Sequence, residues 1–166
     1  MSNLTAAYIA GFVDGEGYLS IVPYHHSVSN KIYYKTNIKV ANTNKEIIEW
    51  LKAEFGGWIY VRKFASDKNY KDAYCWQMSG KNSIDFLMGI QPYLRIKRRQ
   101  CELLLEKSRI ESSRNMKVSN DNREYSEDIS NRIEEIYLEL RRLNKRGRNV
   151  QGERLSEETP IGDATV

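Results

Sequence analysis

The sequence predicts an α+β fold: a four-stranded antiparallel sheet with helices packed on one face and extra helices at the C-terminal end. Three observations carry this. Some segments repeat apolar residues at helical spacing, and others alternate apolar with polar. Read along the chain, the order is αββαββα followed by further helices. The connections are short, which favours antiparallel neighbours. With 166 residues, the chain can bury a core without needing metals or disulfides to fold.

Leu4–Asp14 reads as a helix. Thr5 suits its N-cap, Ala6, Ala7 and Ala10 favour helix, and Gly15 and Gly17 are expected to end it. Tyr18–His26 alternates, with Leu19 and Ile21 opposite Ser20, Val22 and Tyr24. Tyr33–Asn42 does the same, with Tyr34, Thr36, Ile38 and Val40 opposite Tyr33, Lys35, Asn37 and Lys39. Both read as strands with one buried face, joined by a polar loop at Ser27–Lys31. Thr43-Asn44 caps a helix carrying Ile47, Ile48, Leu51 and Phe55, which Gly56-Gly57 closes. Trp58–Phe64 and Ala73–Ser79 read as strands around a charged turn at Ser66–Lys71. On the second of these, Tyr74, Trp76 and Met78 suit the core and leave Cys75 and Gln77 outward.

Ser83–Ile90 reads as a short helix, ended before Pro92, and Lys97–Ile110 as a longer one with Leu103, Leu104 and Leu105. Polar Ser112–Ser126 reads as a loop. Glu127–Asn144 is amphipathic through Ile129, Ile133, Ile136, Tyr137 and Leu140. From Arg146 on, apolar residues are scarce and the chain reads as a disordered tail. One domain is therefore expected over residues 1–145, with its core at about 4–110, a helical extension at about 127–145, and a tail at 146–166.

No apolar run approaches the ~20 residues that span a membrane, and the first residues lack the basic start of a signal peptide. Cys75 and Cys101 have no CxxC spacing, which argues against zinc and suits reduced thiols of an intracellular protein. Adjacent His25 and His26 point oppositely on a strand and make a poor metal pair. The net charge is +4, and its distribution is more informative than its size. The first 17 residues hold two acids and no base. Basic residues gather at Lys31–Lys39, Arg62–Lys71, Arg95–Arg99 and Arg141–Arg148. A basic surface around an acidic centre suits a polyanion.

Ala7, Gly11 and Gly15 lie at i, i+4 and i+8 and leave one helix face nearly bare. Such a face admits another helix at close range, or it packs on the chain's own sheet. Asp14-Gly15-Glu16-Gly17 then sets two carboxylates at the helix end, where the dipole disfavours anions. Local backbone donors for Asp14 and a hard divalent cation for Glu16 would offset that cost.

The nine residues Ile9-Ala10-Gly11-Phe12-Val13-Asp14-Gly15-Glu16-Gly17 resemble the signature of the LAGLIDADG homing endonucleases, and the element order fits that family. Pro92-Tyr93-Leu94-Arg95-Ile96-Lys97 is similar to the family segment that supplies an active-site lysine. Together the resemblance covers roughly Thr5 to Leu105. It implies a saddle-shaped sheet in the DNA major groove and, with a single motif, a homodimer whose seam comprises Ala7, Ala10, Gly11, Asp14 and Gly15. By the same resemblance, Glu16 and the Gly15 carbonyl bind Mg²⁺ or Mn²⁺ (Ca²⁺ would bind without supporting cleavage). Lys97 stands near the scissile phosphate, and Asn42 is the nearest match for a polar residue that orders water. Asp14 is structural.

The implied DNA contacts are Tyr18, Ser20, Val22, Tyr24, His26, Tyr33, Lys35, Asn37, Lys39, Arg62, Phe64, Cys75 and Gln77. Arg141, Arg142, Lys145, Arg146 and Arg148 either meet phosphates or solvate the last helix. The implied activity is a staggered double-strand break in a long pseudo-palindromic site, by an intron-encoded enzyme of a microbe or an organelle. Alternatives on the same scaffold are an RNA maturase, whose partner is intron RNA, and a DNA-binding protein without catalysis.

Overall fold

A computed structural model describes residues 1–26, 31–63, 71–112 and 127–145. Its elements are α1 (Asn3–Glu16), β1 (Gly17–His26), β2 (Lys31–Asn42), α2 (Lys45–Phe55), β3 (Trp58–Arg62) and β4 (Ala73–Ser79). α3 (Lys81–Ile90), a 3₁₀ turn (Gln91–Tyr93), α4 (Arg98–Ser112) and α5 (Glu127–Leu143) follow. The four strands form one antiparallel sheet in the order β1-β2-β4-β3. This is the predicted α+β architecture. The loop at 27–30, the turn at 64–70, the loop at 113–126 and the tail at 146–166 lie outside the described residues.

The first helix begins earlier and ends later than its residue types suggested. Ser2, not Thr5, is the N-cap, and its hydroxyl accepts from the Thr5 N–H at 3.1 Å. Gly15 stays helical, and β1 starts at Gly17 with no loop between. Gly17 closes the helix through its N–H to the Val13 carbonyl with φ −81, so left-handed backbone is not what it supplies. The requirement is steric. A Cβ at Gly17 would stand 2.5 Å from the Val13 carbonyl oxygen. Direct passage from helix to strand therefore depends on glycine here, and it anchors the end of α1 to the sheet.

Alternation places Leu19, Ile21, Ile38, Val40, Trp76 and Met78 on the inner sheet face, all buried. Ile9, Ala10 and Val13 of α1, Ile48 and Leu51 of α2, and Phe86, Leu87 and Ile90 of α3 pack with them. The Trp76 indole N–H donates to the Gly56 carbonyl at 2.8 Å, which satisfies the polar end of the largest core side chain. β3 is shorter than expected, ending at Arg62.

α4 and α5 form an antiparallel pair. Arg99 near the start of α4 binds Glu139 near the end of α5, and Arg132 reaches back to Glu106. Exposed pairs of this kind are worth only ~0–1 kcal/mol each, so burial of Leu104, Ile133, Ile136 and Leu140 carries the contact. α5 covers edge strand β1. The Asn144 amide donates to the Leu19 carbonyl at 2.8 Å, the Tyr34 hydroxyl bonds Glu134, and the Tyr34 and Tyr137 rings lie 5.3 Å apart. Both cysteines are buried and free, and burial pushes the Cys101 thiol up to about 12. Among the described residues, no helix is long and apolar enough to cross a membrane.

Candidate functional site

The C-terminal end of α1 is tied to a segment about eighty residues away in sequence. Asp14 is nearly buried. Its Oδ2 accepts from the backbone N–H of Arg95 at 2.7 Å and of Ile96 at 3.2 Å, and its Oδ1 from that of Lys97 at 2.8 Å. The Lys97 ammonium donates to the Asp14 carbonyl. These bonds explain an acid at the wrong end of a helix dipole, because charge-assisted donors on the carboxylate and a cation on the last turn compensate it. The expectation of local donors is corrected: they come from the turn that leads into α4. Asp14 faces its own chain, so its carboxylate is not part of an exposed seam.

The Asp14 bonds also place Lys97. Its backbone opens α4, the Cys101 N–H bonding to its carbonyl at 3.0 Å. Its side chain turns under the end of α1. Burial lowers the pKa of its ammonium, while the charges of Asp14 and Glu16 act in the opposite direction. Glu16 itself is exposed, as is Gly15. Helix geometry sets Asp14 and Glu16 ~200° apart around the axis, so one points into the fold and the other out of it.

The last carbonyls of a helix lack donors from within it. Glu16 and the Gly15 carbonyl thus present oxygen ligands of the kind hard divalent cations take. Among the described residues, no group of three or more His, Cys, Asp or Glu forms a metal cluster. One chain offers one exposed carboxylate at this point.

Asn42 follows Val40, the register partner of Gly17, by two residues on β2. It lies on the inner-face alternation of β2, opposite Tyr74, and its Oδ1 accepts from the Asn44 N–H at 2.8 Å. It builds the turn that opens α2, with Asn44 as the N-cap.

The bare stripe on α1 faces away from the chain's own core. Ala7, Gly11 and Gly15 are exposed, and a Cβ on Gly11 or Gly15 would meet nothing within 4 Å. Packing on the chain's own sheet is done by Ala6, Ile9, Ala10 and Val13 instead. Ala10, expected in a seam, is fully buried in this core. Beside the stripe, Leu4 is 83% and Tyr8 56% exposed. Tyr8 stacks on Phe12 and meets Trp50 edge-on, forming an apolar groove with Thr5 and Ile47. The sequence reading missed this groove because Leu4 and Tyr8 look like ordinary core positions.

The outer face of the sheet carries Tyr18, Val22, Tyr24, Lys35, Lys39, Gln77 and Arg62, as the alternation predicted. Among the described residues, three of the expected contacts are buried. Ser20 and Asn37 sit opposite each other and bond to one another, and Cys75 is covered between its register partners Ala41 and Tyr60. Trp58 and Tyr60 on β3 share this face and were not anticipated; alternation with Arg62 could have found them. Phe64 and the side chain of His26 lie outside the described residues. Arg141, Arg142 and Lys145 are exposed at the end of α5, whereas Arg99 is held by Glu139.

Residues 9–97 match the family model for LAGLIDADG endonuclease. The search of curated proteins gave no match. Among solved structures, an archaeal intron-encoded homing endonuclease, I-Vdi141I complexed with DNA, superposes with a TM-score of 0.66 at 17% identity. That match covers 93% of this chain and 90% of that one. I-CvuI in complex with its target gives 0.54 at 19%, over 81% of this chain and 95% of that one. I-GzeII in complex with its DNA target gives 0.56 at 15%, over 82% of this chain but only 43% of its own.

Replacing Asp14 by Asn sets an amide N–H₂ against backbone donors, and stability is expected to fall by about 2–4 kcal/mol. Urea unfolding at one fixed protein concentration measures this, and a change below ~0.5 kcal/mol contradicts the tie. Because burial lowers the Lys97 pKa and Glu16 raises it, the lysine should titrate below 10.5, and lower still in Glu16→Gln. NMR titration of the labelled lysine side chain checks both directions. Because the folded-state pKa of Lys97 lies below the ordinary 10.5, the native state binds fewer protons than the unfolded one as pH approaches that value, and the cost of burying its ammonium is relieved as pH rises through that window.

Proposed function

The chain belongs to the LAGLIDADG endonuclease family, and we propose that it is a homing endonuclease that acts as a homodimer on a long pseudo-palindromic DNA site, making a staggered cut in both strands. The observation that carries this reading is the joint placement at one helix end: Glu16 exposed, Lys97 drawn beside it by Asp14, and the bare Gly11–Gly15 stripe on the same helix. A second copy meeting that stripe brings a second Glu16 and supplies the carboxylate that one chain lacks. Length agrees with this. The chain matches nine-tenths or more of I-Vdi141I and I-CvuI, but less than half of I-GzeII. We propose residues 1–145 as the endonuclease domain.

Glu16 and the Gly15 carbonyl would hold Mg²⁺ or Mn²⁺. Such an ion supplies an activated water and neutralises charge on the phosphate. The I-CvuI complexes were obtained with calcium or with magnesium, and the oxygen donors at Glu16 suit either ion. Lys97 holds positive charge beside the reacting phosphate. Tyr18, Tyr24, Tyr33, Lys35, Lys39, Arg62 and Gln77 of the outer face meet the major groove, where base edges are distinguishable. The exposed basic end of α5 meets phosphates. The Asn42 side-chain oxygen is engaged in the turn into α2, which leaves its side-chain nitrogen as the group that would order water.

Cleavage of a randomised library of long duplexes with Mg²⁺ or Mn²⁺ tests the reading. Specific DNA binding without cutting under either ion would leave a non-catalytic DNA-binding protein. Selective binding of intron RNA in place of DNA would leave a maturase. Glu16→Gln should lower cleavage by at least ~10²-fold while Kd for DNA stays within a few-fold; wild-type cutting by this variant refutes the metal assignment. Gly11→Leu should give a monomer in sedimentation equilibrium, and an unchanged dimer refutes the seam.

A further inference from the structure

Three side chains on the outer face form a hydrogen-bond chain across β1, β2 and β4. The Ser20 hydroxyl donates to the Asn37 backbone carbonyl at 3.3 Å. The Asn37 side-chain nitrogen donates to the Ser20 oxygen at 3.3 Å. The Gln77 side-chain nitrogen donates to the Asn37 side-chain oxygen. Ser20 and Asn37 are 6% and 3% exposed, so no nucleobase can reach them, whereas Gln77 is only half-buried.

The direction of this chain follows from its anchor. A backbone carbonyl can only accept, so the single Ser20 hydroxyl proton goes to it. The Ser20 oxygen is then left to accept, which requires the Asn37 amide nitrogen on that side. The Asn37 oxygen therefore faces Gln77, and Gln77 must turn its nitrogen inward. A flipped Gln77 would set two acceptors against each other in a partly buried site. What Gln77 offers outward is its Oε1 acceptor together with its second N–H.

We propose that Gln77 reads one base pair in each half-site, and that the buried pair Asn37 and Ser20 sets its preference by holding the amide in this orientation. This rests on the proposal that the outer face meets the major groove. An outward acceptor beside a donor matches adenine, which presents an N6 donor next to the N7 acceptor, and mismatches guanine, whose O6 and N7 both accept. Gln77 is the base-reading residue; Asn37 and Ser20 are positioning residues that never touch DNA.

The test is selection of bound duplexes from a randomised library by the full chain, in Ca²⁺, with half-sites compared position by position. Wild type should favour adenine over guanine about tenfold at one symmetric position, and Gln77→Ala should erase that preference alone. Asn37→Ala releases the amide and should flatten the same position to under about threefold. Asn37→Asp still accepts from Gln77 and should keep the preference while weakening binding at every position. Ser20→Ala, which removes the anchor, should flatten it too, and it serves if Asn37→Ala does not fold. Even weakening by Asn37→Ala and Ser20→Ala with adenine still preferred overturns the positioning role. No change in Gln77→Ala overturns base reading by Gln77. A wild-type protein that selects no sequence overturns the groove-facing sheet as well.

Discussion

The Asp14 carboxylate is the constraint on which the rest of the arrangement turns. It is an anion at the end of a helix whose dipole repels it, and it is withdrawn from water. Three backbone N–H groups from Arg95, Ile96 and Lys97 make it tenable. The consequence runs in both directions. The donors are held at the end of α1, so the start of α4 is placed, and with it the α4–α5 pair that covers β1. Lys97 arrives beside the motif because its own N–H is one of the three. Gly17 completes the joint by letting the sheet begin directly after Glu16.

The antiparallel sheet separates a buried face from an outer one chiefly by alternation. Its inner face is apolar and buried under α1 to α5. Its outer face holds aromatic, amide and basic groups, but not as independent contacts. Register sets Ser20 against Asn37, and both become internal to the surface, ordering Gln77 at the edge of the patch. Charge is partitioned similarly. Arg99 and Arg132 are engaged in joining α4 to α5, while Lys35, Lys39 and Arg62 stay on the outer face. A count of basic residues would have treated them alike.

The strands, the inner-face residues and most helices were legible in the sequence, because burial imposes periods of two and about 3.6 on apolar residues. The motif was legible as an uninterrupted string. What was not legible depends on residues distant in sequence. Nothing near Asp14 announces donors at Arg95–Lys97, so its partners could only be guessed as local. Ala7 and Ala10 are equally small, and only the rotation of α1 against the sheet sends one outward and the other into the core. Ser20, Asn37 and Cys75 obey the outward alternation yet lose exposure to their cross-strand neighbours. The turn into α2 engages the side-chain oxygen of Asn42, a bond that the string of residues does not announce.

Glu16 and the bare stripe belong to one rigid element, and this bears on how the proposed activity is controlled. A single chain holds Glu16, Lys97 and the Gly15 carbonyl together but supplies one exposed carboxylate. On the homodimer reading, closure of the Gly11–Gly15 stripes and pairing of the two Glu16 side chains are one event, since both are carried by the last turns of α1. The distance between the carboxylates is then set by backbone-to-backbone helix contact. Glycine permits that contact and any larger residue lengthens it. A monomer would retain Lys97 and the whole outer face of the sheet, and so much of its affinity for one half-site. It would lack the paired acids. Binding could precede assembly, and cutting would be confined to a site that recruits both copies.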